Sequence, residues 1–218
     1  MKTGNKILLW CLGFVAVAAI SVAGTLAYLT DQDSVVNTFT VGKVQITLDE
    51  TKVNSDGTVV EGAERVQKNE YHLIPGQTYT KDPMITVEEN SEEAYVRMMV
   101  TLNCAEELME IFGNDFLPEN YVKGWDSLKW ECVKIGNITE DNTITYEFRY
   151  FETVSSAAGE KKELEPLFTK ITVPGTVTGE QLKMLNDFNI TVVGHAIQAA
   201  GFEDADTAWA AFEEQVKP

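Results

Sequence analysis

The sequence predicts a mainly β protein, a β-sandwich of jelly-roll kind with a few short inserted helices, preceded by an N-terminal signal helix. Apolar residues recur with period two in many short stretches, turn residues punctuate those stretches, and only three later segments carry a helical pattern. With 218 residues and 44% hydrophobic content, the chain suits one globular domain with a core of its own.

The strands begin with Phe39 and Val41, which alternate with polar neighbours. After Gly42 and Lys43 the alternation resumes on the other parity with Val44, Ile46 and Leu48, and that slip of one position predicts a β-bulge at the glycine. Asn54-Ser55-Asp56-Gly57 predicts a turn, and a strand over 69–74 is closed by Pro75-Gly76. Strands over 79–87 and 94–103 follow, with the polar residues 88–93 between them; Pro83 belongs at an edge or bulge because it cannot donate to a ladder. In the second of these, Val96, Met98, Val100 and Leu102 share one side, and Tyr95, Arg97, Met99 and Thr101 the other.

Residues 105–112 predict a short helix between strands. Further strands are expected over 128–135, 143–151 and 167–173, the middle one with Ile144, Tyr146, Phe148 and Tyr150 on a single face. Turn signals stand at Gly136-Asn137, over 155–159 and at Pro174-Gly175. Thr178-Gly179-Glu180-Gln181 has capping-box spacing and predicts a helix start, running to about Phe188. Residues 189–199 are strand-like again. Asp204 or Asp206 can cap a last helix, which would place Ala205, Trp209, Phe212 and Val216 near one face.

Before all of these, Lys2 and Lys6 precede an apolar run over 7–22, and small residues gather over 23–27, the three parts of a secretory signal. Thr25-Leu26-Ala27 gives the small-x-small pattern a signal peptidase needs, so cleavage is expected after Ala27, with Ser21-Val22-Ala23 as a second site. An uncharged run of about 18 residues is also near the lower limit for a membrane span, which leaves an anchor as the alternative. No basic stop-transfer cluster follows the run. The expected division is a signal over 1–27 and a single domain over 28–218.

The formal net charge is −17, and losing Lys2 and Lys6 with no acid takes it to −19. Repulsion from phosphate argues against nucleic acid or an anionic membrane surface as partner, so membrane contact is expected only through an uncleaved signal segment. Cys104 and Cys132 remain after cleavage; one disulfide or two buried thiols are equally open.

No helical pair of histidines with an intervening glutamate, nucleophile elbow, phosphate-cradling glycine loop or Cys-x-x-Cys pair occurs. His72 and His195 are the two histidines, far apart in sequence and without neighbouring ligand clusters. Glu88-Glu89, Glu92-Glu93 and Asp204 with Asp206 offer oxygen ligands for calcium, yet none follows an EF-hand loop, and solvated acids are the expectation. No catalytic residue, metal site or cofactor is expected.

The run Gly24-Thr25-Leu26-Ala27-Tyr28-Leu29-Thr30-Asp31, followed by Asn37-Thr38-Phe39-Thr40-Val41-Gly42-Lys43-Val44-Gln45-Ile46, strongly resembles the TasA/camelysin family of exported Gram-positive proteins. Further similarity lies in Leu73-Ile74-Pro75-Gly76-Gln77-Thr78-Tyr79-Thr80-Lys81-Asp82, and over 190–212 with Ala196-Ile197-Gln198-Ala199-Ala200-Gly201-Phe202. The resemblance implies a jelly roll, processing by a SipW-type signal peptidase, Ala27 as the last signal residue and Tyr28 as the mature N-terminus. It also implies secretion to the extracellular matrix or cell surface of a Gram-positive bacterium, as a biofilm matrix fibre subunit or accessory.

Subunits in such fibres self-associate, or join related matrix subunits, by donor-strand exchange. The candidate donor here is residues 28–39, with Tyr28, Leu29, Val35, Val36 and Phe39 as apolar anchors. The alternatives for the same stretch are pairing within its own subunit and a flexible leader. Camelysin-like members imply a cell-surface metalloprotease as the enzymatic alternative. A surface adhesin or carbohydrate-binding module is a third, with Trp125, Trp130 and Trp209 as stacking residues that core packing also explains.

Overall fold

The longest strands of the protein form where the sequence alternates most regularly. The structure, a computed structural model, describes residues 43–113 and 120–216, all within one compact unit. Strands β1 (Ile46–Asp49), β3 (Met84–Val87) and β8 (Lys162–Glu163) make one sheet in the order β1-β3-β8. Strands β4 (Ala94–Asn103), β6 (Trp130–Ile135), β7 (Thr143–Tyr150) and β10 (Ile190–Gln198) make a second in the order β10-β4-β7-β6. A third holds β2 (Thr78–Thr80), β9 (Lys170–Thr172) and β5 (Val122–Lys123) in the order β2-β9-β5. Every pairing is antiparallel. Three helices complete the described residues: α1 (Ala105–Phe112), α2 (Gly179–Met184) and α3 (Ala205–Val216). The fold is mainly β.

The inward parity of β4 and β7 makes the core. Val96, Met98, Val100 and Leu102 meet Ile144, Tyr146, Phe148 and Tyr150 from the neighbouring strand, and Ile85 and Val87 of the first sheet close over them in the same cluster. Trp130 is fully buried there, its ring edge-on to Tyr150 at 5.0 Å and its indole N–H donated to the Glu165 carbonyl. A second cluster joins Tyr79, Val173 and Val177, and a third lies under α3, where Ile197 meets Ala208 and Trp209.

Local chemistry sets the joints. Gly57 has φ +82, and a Cβ there would stand 2.8 Å from the Cα of Tyr79, so the predicted turn is one only glycine fits. At α2, the Thr178 hydroxyl accepts the Gln181 N–H while the Gln181 side chain accepts the Thr178 N–H, the reciprocal cap its spacing predicts. Asp204 caps α3 by accepting the Thr207 N–H at 2.8 Å, whereas Asp206 turns to Arg149.

Some expectations give way. Residues 69–74 do not form a strand, because side chains take over the pairing: Asn69 accepts from the Val53 N–H and donates to the Thr51 carbonyl, and the Tyr79 hydroxyl bridges Ile74 and His72. The stretch 79–87 divides into β2 and β3, which belong to different sheets; Pro83 stands at the break, where no ladder donor is required. Helix α2 stops at Met184, short of Phe188. Val216 is 57% exposed, so the buried face of α3 runs through Ala208 and Trp209 instead. Of the two readings left open for Cys104 and Cys132, the structure has separate, half-buried thiols not joined in a disulfide. The cleavage site at Ala27 and Tyr28, the bulge at Gly42, and the donor candidates Tyr28, Leu29, Val35, Val36 and Phe39 all lie outside the described residues.

Candidate functional site

Two sheet edges meet at β1 and β10. Among the described residues β1 pairs only with β3, and β10 only with β4, so each presents an edge of unpaired backbone groups, which on the β1 side ends at Glu50, where Val66 takes both backbone hydrogen bonds. The edges touch at Gly194. A Cβ there would stand 3.0 Å from Ile85 Cδ1 and 3.5 Å from Ile46 Cδ1, so the missing side chain is what lets the two layers close at this point.

Away from Gly194 the layers part, and a groove opens into a cavity of about 1050 Å³ that is bounded on one side by residues 46–50 and 189–193 and extends to Phe112, Val122, Ile171, Val177 and Leu185. The inward side chains of its two walls, Ile46 and Leu48 on β1 and Ile190 and Val192 on β10, are only half-buried. Its base is core: Val100, Leu102, Tyr146 and Phe148, with Trp125 packed edge-on to Phe148 at 5.5 Å. Burial, reinforced by Cys132, pushes the Tyr146 hydroxyl up to about 12, so it stays protonated at neutral pH.

One polar landmark interrupts the apolar lining. Lys81 and Glu50, 8% and 6% exposed, are joined Nζ to Oε2 at 2.6 Å, and Asn69 donates to the other carboxylate oxygen. Lys81 also lies over the Tyr71 ring at 5.8 Å. Burial, and then the Glu50 charge, raise the Tyr71 hydroxyl well above its ordinary value, while that hydroxyl donates to the Thr80 carbonyl. Beside this pair Arg65 binds Asp49 and Asp82 and donates to both their carbonyls, tying the end of β1 to the approach to β3. The rim is polar, with Gln67, Lys68 and Glu70. Free backbone edges, apolar walls and an internally neutralised ion pair suit an extended, mainly apolar chain laid along the groove.

The residues singled out from the sequence fall elsewhere or serve the core. His72 is exposed, whereas His195 accepts a hydrogen bond from Arg97 on the outer face of β10. Trp130 and Trp209 are buried and offer no stacking surface; Trp125 is half-buried in the groove. Glu88 binds Thr47 and Lys161, and Glu93 accepts from Thr153. Among the described residues no group of three or more His, Cys, Asp and Glu is placed to hold a metal ion, and no helix is long and apolar enough to cross a membrane. Sequence reasoning missed Lys81, Glu50 and Arg65: the adjacent acids Asp49-Glu50 and the bases that meet them stand 16 or more residues apart, so no local pattern marks the pairing.

Comparison with known proteins finds no matching family model, no matching curated protein and no matching solved structure.

Proposed function

We propose that this chain is an exported structural protein of the TasA/camelysin kind, a jelly-roll subunit or accessory of an extracellular matrix fibre. In this reading a signal peptidase of SipW type cleaves after Ala27, and the groove between β1 and β10 receives residues 28–39 of a neighbouring copy. The groove carries the proposal: half-buried Ile46, Leu48, Ile190 and Val192 line an unfilled space between two free edges. A strand laid there would pair with backbone on both sides and cover apolar walls that are now wet, stabilising the pair by roughly 25 cal/mol per Å² of apolar surface removed from water. Because the donated end and the receiving groove are different surfaces, the contact is head-to-tail and need not close.

The test uses the secreted protein and a form lacking residues 28–39. Electron microscopy should find filaments of the first, and sedimentation should find the second monomeric at every concentration. Adding a peptide of residues 28–41 to the truncated form should give saturable binding, lost in Val192→Asp. Identical behaviour of the two forms, or peptide binding indifferent to Val192→Asp, would reject the reading.

A further inference from the structure

The outer face of the four-stranded sheet holds an arrangement unrelated to the groove. His195 on β10 stands opposite Arg97 on β4, and Arg97 stands opposite Arg149 on β7, so three bases share one register row. Side by side Arg97 and Arg149 repel, and carboxylates from two elements offset them: Glu147 of β7, and Glu213 and Asp206 of α3. Farther along, β6 sets Glu131 opposite Arg149 and Lys134 opposite Glu147.

Arg97 is the hub. It is 3% exposed, its guanidinium lies 4.3 Å from the Trp209 ring centre and 5.0 Å from that of Phe212, and Nη2 reaches Glu213 at 2.5 Å. Its Nε–H is donated to His195 Nδ1 at 3.2 Å, a bond that exists only while the imidazole is neutral with its proton on Nε2. Phe212 covers the same imidazole at 4.8 Å between ring centres.

We propose that α3 is an acid-released latch on this sheet, with the neutral His195 imidazole as its trigger. A proton on Nδ1 removes the acceptor for Arg97 and sets a second cation against a buried guanidinium. The element able to yield is α3, which Arg97 holds through Trp209, Phe212 and Glu213. Burial, and then the Arg97 charge, hold His195 below its ordinary value, against an opposite pull from Glu213 and Glu147. The unfolded chain therefore binds this proton more readily than the folded one. The latch is whole above the unfolded histidine value of about 6.5 and is lost as the pH falls below it. Glu213, held below its usual range by Arg97, stays charged through that window.

Amide hydrogen exchange of the full chain at pH about 7.5 and about 5, corrected for intrinsic rates, tests this. Protection of α3 should fall by up to about tenfold for each pH unit below the unfolded histidine value of about 6.5 and level off below the folded one, with β4 and β7 unchanged. H195N keeps an oxygen acceptor for Arg97 but takes no proton, so its α3 protection should be flat across the same range; H72N should respond as the parent chain does. If H195N does not fold, H195Q replaces it, and NMR titration of the parent imidazole must follow the loss of α3 protection. An unchanged α3 in the parent, an equal response in H195N, loss of β4 and β7 together with α3, or an imidazole titration that departs from α3 protection would overturn the proposal.

Discussion

Strand β10 has two faces with opposite fates. Outward, Ile197 and His195 are covered by α3, whose Trp209 and Phe212 stack on Arg97 and whose Asp206 and Glu213 neutralise the row of bases beneath. Inward, Ile190 and Val192 look across a groove toward Ile46 and Leu48 with nothing described between them. The outer face buries charge and meets it with carboxylates of its own chain, leaving only the Trp209 indole N–H without a partner among its described side chains; the inner face has mostly apolar walls and is left incomplete. The same strand thus sets a charged face covered by α3 against an apolar face that its described neighbours leave open, which is the face the proposed donor segment would cover.

The largest expected effect probes ions rather than apolar walls. Lys81→Met leaves the Glu50 carboxylate buried with Asn69 as its remaining described partner, and should cost about 3–5 kcal/mol in urea denaturation. Replacing both, Lys81→Met with Glu50→Leu, should recover most of that loss, because two matched apolar groups remove the unpaired charge. If the single change were nearly neutral, the pair would be wetter than its exposure indicates.

Truncating walls should separate the faces more directly. Met98→Ala removes a fully buried side chain beneath both sheets and should cost about 2–5 kcal/mol. Leu48→Ala and Val192→Ala, cut from the half-open groove, should cost about 1 kcal/mol or less in the form lacking residues 28–39. In the form that retains them the same changes should cost more, since an occupant turns a wet wall into core. Equal costs in the two forms would mean that the groove stays empty.

How far these features were readable from the residues follows from their range. Strands β4 and β7 matched their predicted spans to within a residue, because alternation over eight or more positions is a local signal with one solution. The capping box at Thr178 was equally local. Strands β5 and β8, two residues each, carry no periodicity to read. The failure over 69–74 came from Asn69 and Tyr79, whose side chains satisfy backbone groups that a ladder would otherwise pair. The groove was invisible because it is a distance between two edges far apart in sequence. The outer network was half legible: alternation put Arg97 on the outer side of β4, and Asp206 with Glu213, about two helical turns apart on α3, are the acids that meet that row.

The smallest expected effect concerns the point where the groove ends. Gly194 does not need glycine for its backbone, since its φ lies outside the left-handed region; it needs glycine for space. In Gly194→Ala the new methyl meets Ile85 Cδ1 at 3.0 Å, the end of a side chain that can turn slightly, so the cost should be about 1 kcal/mol by thermal denaturation. Shortening the opposing residue as well, Gly194→Ala with Ile85→Val, should return part of that cost, because the clash is with the carbon that valine lacks. A loss that Ile85→Val fails to relieve would place the strain elsewhere on β10, and the closure of the two layers would then depend on something other than the fit of Ile85 and Ile46 against a bare backbone.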